Sequence, residues 1–141
     1  MDLREATPLL TQHSTCIVST ITPSGRVQST VVSSALLNGK LCIASRGRTV
    51  KVRNIERTGR ATATVLNLEN RRYVTVEGPA TVRDWPKGDT SKHVNLLKDV
   101  YTAMGRAPKV SDAEFAKTMA EEQRMVIEIT PERIYGSLSV R

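Results

Sequence analysis

Apolar and polar residues alternate along much of the first half of the chain, a pattern typical of strands with one buried face. A β-branched run from Thr15 to Ile21 ends at the turn residues Thr22-Pro23-Ser24-Gly25, and a second alternating run starts at Val27. This run reaches Asn38-Gly39, the preferred pair for a type I′ turn, so the segment from Leu41 to Ser45 is expected to return antiparallel. The pattern therefore predicts two consecutive hairpins.

Helical spacing flanks this β-rich segment. Leu3 to Gln12 is predicted as a short helix, with Pro8 either in its first turn or at its end. A second short helix is expected after the third strand, because Val52 and Ile55 fall on one side and Gly59 follows as a stop signal. The exposed side of this second helix is expected to be basic.

The second half of the chain continues the strand pattern and then changes to helices. Two strands are predicted to pair around Glu69-Asn70, with a bulge at Gly78-Pro79. Two helices and a closing strand follow, and that strand pauses at Pro131. The predicted bounds are Ala61 to Leu66 and Tyr73 to Val82 for the strands, Asp89 to Met104 for the third helix, a capping box at Ser111 to Glu114 for the fourth, and Met125 to Ile129 with a continuation through Ile134 and Tyr135 for the last strand.

With 141 residues the chain has the usual size of one domain, so residues 1–141 are expected to share one core. About six antiparallel strands with short peripheral helices favour closure of the sheet, because a closed barrel leaves no strand edge exposed. The predicted fold class is therefore mainly β, in the form of a small barrel.

The composition adds an excess of positive charge. Lysine and arginine number 21 against 14 acidic residues, a formal net charge of +7 that implies an anionic partner. Nucleic acid is disfavoured, because the aromatic residues are few and scattered and offer no stacking platform. A phosphorylated cofactor or an acidic metabolite remains. No apolar run approaches the ~20 residues that cross a bilayer, and Met1 to Glu5 lacks a signal-peptide layout, so a cytoplasmic protein without membrane contact is expected.

Residue types that commonly carry catalysis or bind metals are sparse. Cys16 and Cys42 lie far apart in β-like runs and are interpreted as buried apolar residues. His13 and His93 stand alone, and no nucleophile lies beside a base. Neither a catalytic residue nor a metal site is predicted.

The densest polar cluster is Ser45 to Asn54, at a strand-to-helix junction. A helix N-terminus offers unpaired N–H groups and a partial positive charge, so this junction is a candidate phosphate site. Thr49 would either cap the helix or donate its hydroxyl to a phosphate oxygen. The alternative is a solvated basic turn. Four cations fall within eight residues of the cluster: Arg46, Arg48, Lys51 and Arg53.

Two stretches of the sequence resemble a known family. The run R-G-R-T-V-K-V-R-N-I-E-R-T-G-R-A-T from Arg46 to Thr62, followed by Y-V-T-V-E-G-P-A-T-V from Tyr73 to Val82, is similar to the split-barrel flavin and deazaflavin proteins. This is the superfamily of pyridoxamine 5′-phosphate oxidase-like proteins. More narrowly, the K-x-R-N helix at Lys51 to Asn54 resembles the branch that uses the 8-hydroxy-5-deazaflavin coenzyme F420. The likeness extends over most of the chain, from Gly25 to Gly136.

The resemblance implies a split β-barrel and a homodimer, with two cofactor sites in clefts between the subunits. It places the cofactor phosphate near Lys51 and the ring system along Gln28 to Val31 and Ala44 to Arg46. Some relatives space the preceding arginine one residue closer to the lysine, so the roles of Arg46 and Arg48 stay open. The residues assigned to the cofactor by the resemblance are Lys51, Arg53, Asn54, Arg48, Thr49, Arg46, Ser45, Gln28, Ser29 and Thr30.

The function that the resemblance implies is hydride transfer between reduced coenzyme F420 and a small electron-poor substrate, with the chemistry carried by the cofactor. Two alternatives stay open. One is the same fold with FMN, whose phosphate suits the same helix start, and the other is a carrier that binds F420 without turnover. Arg71 and Arg72, where some relatives have an aromatic residue, are candidate contacts for the oligoglutamate tail of the deazaflavin.

Overall fold

The computed structural model describes residues 1–139, and within them four helices and seven strands. The helices and strands follow the predicted order, and the last strand divides in two at Pro131 as predicted. None of the helices in this range has the length and apolar character needed to cross a membrane. The bounds are α1 Leu3–Gln12, β1 Thr15–Ile21, β2 Val27–Leu37, β3 Lys40–Ser45, α2 Val50–Thr58, β4 Arg60–Asn67, β5 Arg72–Arg83, α3 Ser91–Ala103, α4 Asp112–Glu122, β6 Met125–Ile129 and β7 Arg133–Ser137.

The strands close into an antiparallel barrel. Six of them follow the order β4-β1-β2-β3-β6-β5, and β5 pairs with β4 to complete the ring. The seventh strand, β7, pairs with the part of β5 that precedes its pairing with β6. The predicted fold class, a mainly β split barrel with short peripheral helices, is confirmed.

The barrel is split between β2 and β3. Their turn has the predicted type I′ geometry, with Asn38 at φ 53° and Gly39 at φ 76°, both in the left-handed region. Pairing with β3 ends where Ser34 lies opposite Ile43, whereas β3 stays paired with β6 as far as Ser45. Among the strands of residues 1–139, the earlier part of β2 pairs only with β1, so a gap opens between β2 and the end of β3.

Two hydrophobic clusters stabilise the fold. One fills the barrel and includes Cys16, and the other packs α3 and α4 against the outer face of β3 and β6 and includes Cys42. Burial raises the pKa of the Cys16 thiol to about 12 and that of Cys42 to about 11. The interpretation of both cysteines as buried apolar residues is confirmed. His93 lies on the buried side of α3, with its Nε2 2.8 Å from the carbonyl oxygen of Arg124.

The expectation for Pro8 is wrong, because α1 continues through it. Pro8 lies beyond the first turn, lacks an N–H group and cannot donate to the Arg4 carbonyl. A capping box between Asp2 and Glu5 stabilises the start of the helix, with the Glu5 N–H donating to Asp2 at 2.8 Å. The helix also packs three apolar residues into the barrel core. This tertiary packing outweighs the missing hydrogen bond; the three residues are Ala6, Leu9 and Leu10.

The bulge predicted at Gly78-Pro79 is also wrong for β5. Pairing with β4 runs from Pro79 opposite Arg60 to Arg72 opposite Asn67 without an extra residue. The irregularity lies in the facing chain, where three residues between β6 and β7 oppose two residues of β5. Gly78 permits this close approach, because a Cβ there would overlap the carbonyl oxygen of Thr130.

Gly78→Ala is expected to lower the free energy of unfolding by about 1–3 kcal/mol, because the methyl group must displace main-chain atoms. Gly88→Ala is the matched control, since Gly88 has open space around its Cα and no left-handed φ. The control should change stability by no more than about 0.5 kcal/mol. Urea unfolding followed by the fluorescence of the single tryptophan, Trp85, measures both variants. Equal stabilities for the two variants would contradict the assigned role of Gly78.

Candidate functional site

A cleft of about 410 Å³ occupies the gap between β2 and the end of β3. Its volume lies within the range of small-molecule sites. The cleft is bounded by the edge of β2, the end of β3, the start of α2, the end of α3 and the residue before β6. The residues that line it are Thr30, Val31, Val32, Ser33, Ala44, Ser45, Arg46, Thr49, Lys51, Tyr101, Met104, Arg106 and Arg124.

The base of the cleft holds a buried ammonium group. Helix α2 turns its apolar side, Val52 and Ile55, to the barrel, and Lys51 and Asn54 lie on the same side. Lys51 is only 7% exposed, and its Nζ donates to the Thr49 hydroxyl at 3.3 Å. No carboxylate lies within ion-pair distance of it in residues 1–139. Burial lowers the pKa of Lys51 below its ordinary value, and the charge of Arg124 lowers it further.

Two further sets of donors surround Lys51. Thr49 is the N-cap residue of α2, yet its side chain makes no capping hydrogen bond, and no side chain of residues 1–139 accepts from the first N–H groups of the helix. The Ser45 hydroxyl is buried and has no hydrogen-bond partner in the described part of the chain. A buried cation, helix amides and a hydroxyl are donors that suit an anion, so this part of the cleft is a candidate anion site.

Three arginines extend the positive charge around the cleft. The carboxylate of Glu122 lies 3.4 Å from Arg46 and 2.5 Å from Arg124, so a single acid serves both cations. Arg106 makes no ion pair within residues 1–139. The cleft therefore carries four cations against one adjacent carboxylate, which favours ligands with more than one negative charge.

The cleft lining also includes apolar residues. Val32 and Ala44 come from the two diverging strands, and Tyr101 and Met104 come from the end of α3. The Tyr101 ring packs edge-on against Phe115, with ring centroids 5.9 Å apart and an interplanar angle of 85°. This contact holds the tyrosine in place. The cleft therefore combines positively charged and apolar lining residues, which suits a ligand with an anionic group and a planar ring.

The edge of β2 adds main-chain groups to the cleft. The Ser34 N–H donates to the Ser14 carbonyl oxygen at 2.8 Å, which fixes the alternation of the β1–β2 ladder. By that alternation the N–H and C=O groups of Ser29 and Val31 point away from β1. No strand in the described range pairs with this edge of β2 before Ser34. It therefore offers hydrogen-bonding groups to a bound ligand.

Half of the ten residues assigned from the sequence come together in this cleft. They come from three elements or their ends, and the turn after β3 brings them within one cavity. The five are Thr30, Ser45, Arg46, Thr49 and Lys51.

Arg48 and Arg53 lie outside the cleft. Arg48 donates to Glu56 at 2.5 Å and also pairs with Asp84, so two carboxylates hold it on the outer side of the turn. The hydrogen bond to Glu56 and the adjacent Asp84 charge raise the pKa of Arg48 above its ordinary value. Arg53 is exposed on the far side of α2, and its Nη2 donates to the Arg48 carbonyl oxygen at 3.3 Å. Of the two arginines with open roles, Arg46 is the one that lines the cleft.

Asn54, Gln28 and Ser29 are also outside the lining. Asn54 is 2% exposed and donates through Nδ2 to the Thr20 hydroxyl at 3.1 Å, which connects α2 to β1. Gln28 lies next to Thr20 in the β1–β2 ladder, and its Nε2 donates to the Thr30 hydroxyl at 2.9 Å. The Ser29 hydroxyl is 2.9 Å from that of Ser19 on the outer face of the sheet.

Six residues that line the cleft were not assigned to it from the sequence: Val32, Ser33, Tyr101, Met104, Arg106 and Arg124. Tyr101 and Met104 were predicted only as part of the third helix, Asp89 to Met104, and Arg106 and Arg124 were not singled out. Arg106 follows the end of α3 and Arg124 precedes β6, so no local motif marks either residue. Their arrival at the cleft depends on how α3 and α4 pack against the barrel.

Arg71 and Arg72 belong to the β4–β5 hairpin and line other cavities. Arg71 has φ 61° in the turn, and Arg72 lies against α1 beside Gln12 and His13. Neither arginine lines the cleft within this chain.

Comparison with known proteins agrees with this architecture. The family model described as pyridoxamine 5′-phosphate oxidase matches residues 3–137. The chain belongs to this family. Proteins of this fold bind flavin-type cofactors, and the family includes oxidoreductases. No curated protein matches the sequence significantly.

Solved structures show the same fold at low sequence identity. A conserved hypothetical protein from Mycobacterium tuberculosis superposes with a TM-score of 0.73 and 18% identity, covering 96% of this chain and 84% of the other. An F420 reductase superposes with a TM-score of 0.65 and 21% identity, covering 91% and 94%. A putative pyridoxamine 5′-phosphate oxidase from Listeria innocua gives 0.67 and 13%, covering 96% and 98%.

Lys51→Met is expected to raise the free energy of unfolding of the ligand-free protein by about 0.5–2 kcal/mol, because it removes a buried charge that has no carboxylate partner in residues 1–139. The pKa of Lys51 is lower in the folded state, so the unfolded state binds more protons and protonation favours unfolding. The gain should therefore shrink as pH rises through the lowered pKa toward the ordinary value of 10.5.

Urea unfolding at several pH values measures this difference. Lys117→Met is the matched control, because it removes the same charge from a side chain that is 79% exposed. The control should change the free energy of unfolding by no more than about 0.5 kcal/mol at any pH. A Lys51→Met protein less stable than the wild type near neutral pH would show that Lys51 stabilises the fold.

Proposed function

We propose that this protein is an oxidoreductase that transfers a hydride between reduced coenzyme F420 and a small electron-poor substrate. The observation that carries the proposal is the buried Lys51 ammonium, which lies at the base of a basic cleft without a carboxylate partner in residues 1–139. A bound deazaflavin would supply the hydride chemistry. The protein would bind and orient the cofactor and exclude water from it.

The cleft provides separate places for the two ends of such a cofactor. Lys51, the Ser45 hydroxyl and the first amides of α2 form the donor set for its phosphate. Tyr101 and Met104 would lie against the ring, and the unpaired edge of β2 would supply main-chain hydrogen bonds. No side chain in this arrangement needs to act as a nucleophile.

The excess of positive charge favours F420 over FMN. FMN has one phosphate group, whereas the deazaflavin adds a tail of glutamates to its phosphate. Arg46, Arg106 and Arg124 remain beyond the donors that a phosphate uses, with Glu122 as their only adjacent acid in the described residues. FMN is the second candidate, because Lys51 and the start of α2 suit a phosphate monoester equally well.

We propose further that the protein is a homodimer whose cofactor sites lie at the subunit interface. One face of the β1–β2 hairpin exposes large apolar side chains, with Val27 67% and Val31 72% exposed. Ile21 is 43% exposed and lies opposite Val27 in the ladder. Val31 also lines the cleft, so a second copy of the chain on this face would cover both the apolar surface and the open side of the site.

A fluorescence titration of the ligand-free protein with coenzyme F420, and separately with FMN, tests the proposed cofactor. Wild-type protein should bind F420 more tightly than FMN. Lys51→Met should weaken binding of the preferred cofactor by about 1–3 kcal/mol, because a charge-assisted phosphate contact is lost. Lys117→Met removes the same charge far from the cleft and should leave the Kd unchanged within error.

Turnover separates the enzyme from a carrier. Oxidation of reduced F420 should accelerate with at least one member of a panel of quinones, nitro compounds and tetrapyrroles. Tight binding without oxidation of reduced F420 by any acceptor would favour the carrier. Preference for FMN in the titration would favour the FMN alternative, and an unchanged Kd for Lys51→Met would discredit the site.

Val31→Asp is expected to convert a wild-type dimer into a monomer, because a carboxylate cannot be buried unpaired in an apolar interface. Leu68→Asp is the matched control, since Leu68 is also 72% exposed but lies in the β4–β5 hairpin. Sedimentation equilibrium measures the mass of each variant. A monomeric wild-type protein, or loss of the dimer with Leu68→Asp alone, would contradict the proposed interface.

A further inference from the structure

A continuous chain of side-chain hydrogen bonds connects α2 to the cleft. Arg57 Nη1 donates to Asn54 Oδ1 at 3.0 Å, and Asn54 Nδ2 donates to Thr20 Oγ1 at 3.1 Å. Thr20 Oγ1 donates to Gln28 Oε1 at 3.3 Å, and Gln28 Nε2 donates to Thr30 Oγ1 at 2.9 Å. Thr30, the last member, lines the cleft.

The order of donors and acceptors in this chain is fixed from its first member. A guanidinium only donates, so Asn54 must turn its oxygen to Arg57 and its NH₂ group to Thr20. The Thr20 hydroxyl accepts that bond, and its single hydrogen goes to Gln28. Gln28 therefore turns its NH₂ group to Thr30. The Thr30 oxygen accepts this hydrogen bond, and none of the other residues in this series uses the hydrogen of the Thr30 hydroxyl.

The middle of the chain is well shielded from water. Thr20 and Asn54 are each 2% exposed, so a broken link there would leave a buried polar group unsatisfied. Hydrogen bonds in such surroundings are stronger than in water and restrict each other's geometry. Arg57 is anchored a second time, because its other nitrogen donates to the Ile21 carbonyl oxygen.

We infer that the Thr30 hydroxyl donates a hydrogen bond to an acceptor atom of the bound ring, a ring carbonyl oxygen or an unprotonated ring nitrogen, and that Gln28 positions it for this role. The inference rests on the proposed function, since it names the contact made by the ring end of the same ligand. Gln28 and Asn54, which the sequence assigned to the cofactor, then act through Thr30 rather than by contact.

The same chain fixes the spacing of the site. Asn54 is three residues from Lys51 on α2, and Thr30 lies on the part of β2 that pairs with no described strand on its cleft side. The hydrogen bonds tie this helix to this strand through Thr20 of β1. The anion-binding Lys51 and the donor at Thr30 are therefore held at a set separation, which selects a ligand whose anionic group and ring acceptor match it.

Replacement of the hydroxyl tests the donor. Titrations use FMN and coenzyme F420 with the wild type, Thr30→Val and Thr30→Ser. Thr30→Val should raise the Kd of the cofactor that binds by about 2- to 10-fold, the range for one neutral hydrogen bond, and Thr30→Ser should restore most of the affinity. Thr118→Val is the control, because it makes the same replacement at an exposed residue of α4 that does not line the cleft.

Reversal of one link tests the positioning. In Gln28→Glu the carboxylate only accepts, so the Thr30 hydrogen should turn to Glu and away from the ligand. The added negative charge of Gln28→Glu also weakens binding. In the Thr30→Val protein no hydroxyl remains to be turned, so Gln28→Glu made in that protein measures the charge effect alone. Gln28→Glu should therefore cost about 2- to 10-fold more affinity in the wild type than in Thr30→Val.

The outcomes separate the inference from the proposed function. An unchanged Kd in Thr30→Val, with the wild type binding a cofactor normally, would overturn the donor and leave the proposed function standing. Equal costs of Gln28→Glu in both backgrounds would overturn the positioning role. A wild-type protein that binds neither FMN nor F420 would overturn the proposed function, and the inference with it.

Discussion

The Lys51 ammonium is buried with no carboxylate beside it in residues 1–139, and the arrangement of the cleft follows from this. A buried charge costs free energy unless an opposite charge or several hydrogen bonds compensate it. Lys51 has one hydroxyl partner and a second cation, Arg124, nearby. The residue is held there because Val52 and Ile55 pack into the barrel core from the same side of α2. The apolar side of a short helix thus places a cation where only an anionic ligand completes its surroundings.

The split in the barrel creates the space that this cation faces. If β2 and β3 stayed paired along their whole length, the edge of β2 would be covered and no cleft would lie beside Lys51. Within residues 1–139 the separation leaves main-chain groups of β2 without a strand partner, and an open strand edge is available to pair with another molecule. A ligand and a second subunit are the two partners proposed for that edge. The exposed Val31 lies where both would meet.

Local sequence patterns predicted the order of the helices and strands. They also drew attention to the segment between β3 and α2 that lines one side of the cleft. Alternation, the Asn38-Gly39 turn and the Gly59 stop signal act over a few residues, so the sequence displays them directly. Pro8 and Gly78 were misjudged because packing of α1 and a close approach by Thr130 decide their environments. Arg106 and Arg124 were missed for the same reason. Each lies just outside an element, and only the packing of α3 and α4 brings it to the cleft.

The residues of the K-x-R-N pattern do not all line the cleft, although they are close together in the sequence. Positions three apart on a helix share a side, so Lys51 and Asn54 lie on the buried side of α2 together with Val52, whereas Arg53 lies on the exposed side. The two buried residues differ in their contacts, because Asn54 donates to the Thr20 hydroxyl in the interior and Lys51 lines the open cleft. Arg48 is removed from the site by Glu56 and Asp84. A count of cations along the sequence therefore overstates the positive charge that a ligand meets at α2. The packing of α3 and α4 adds Arg106 and Arg124 to the cleft in place of Arg48 and Arg53.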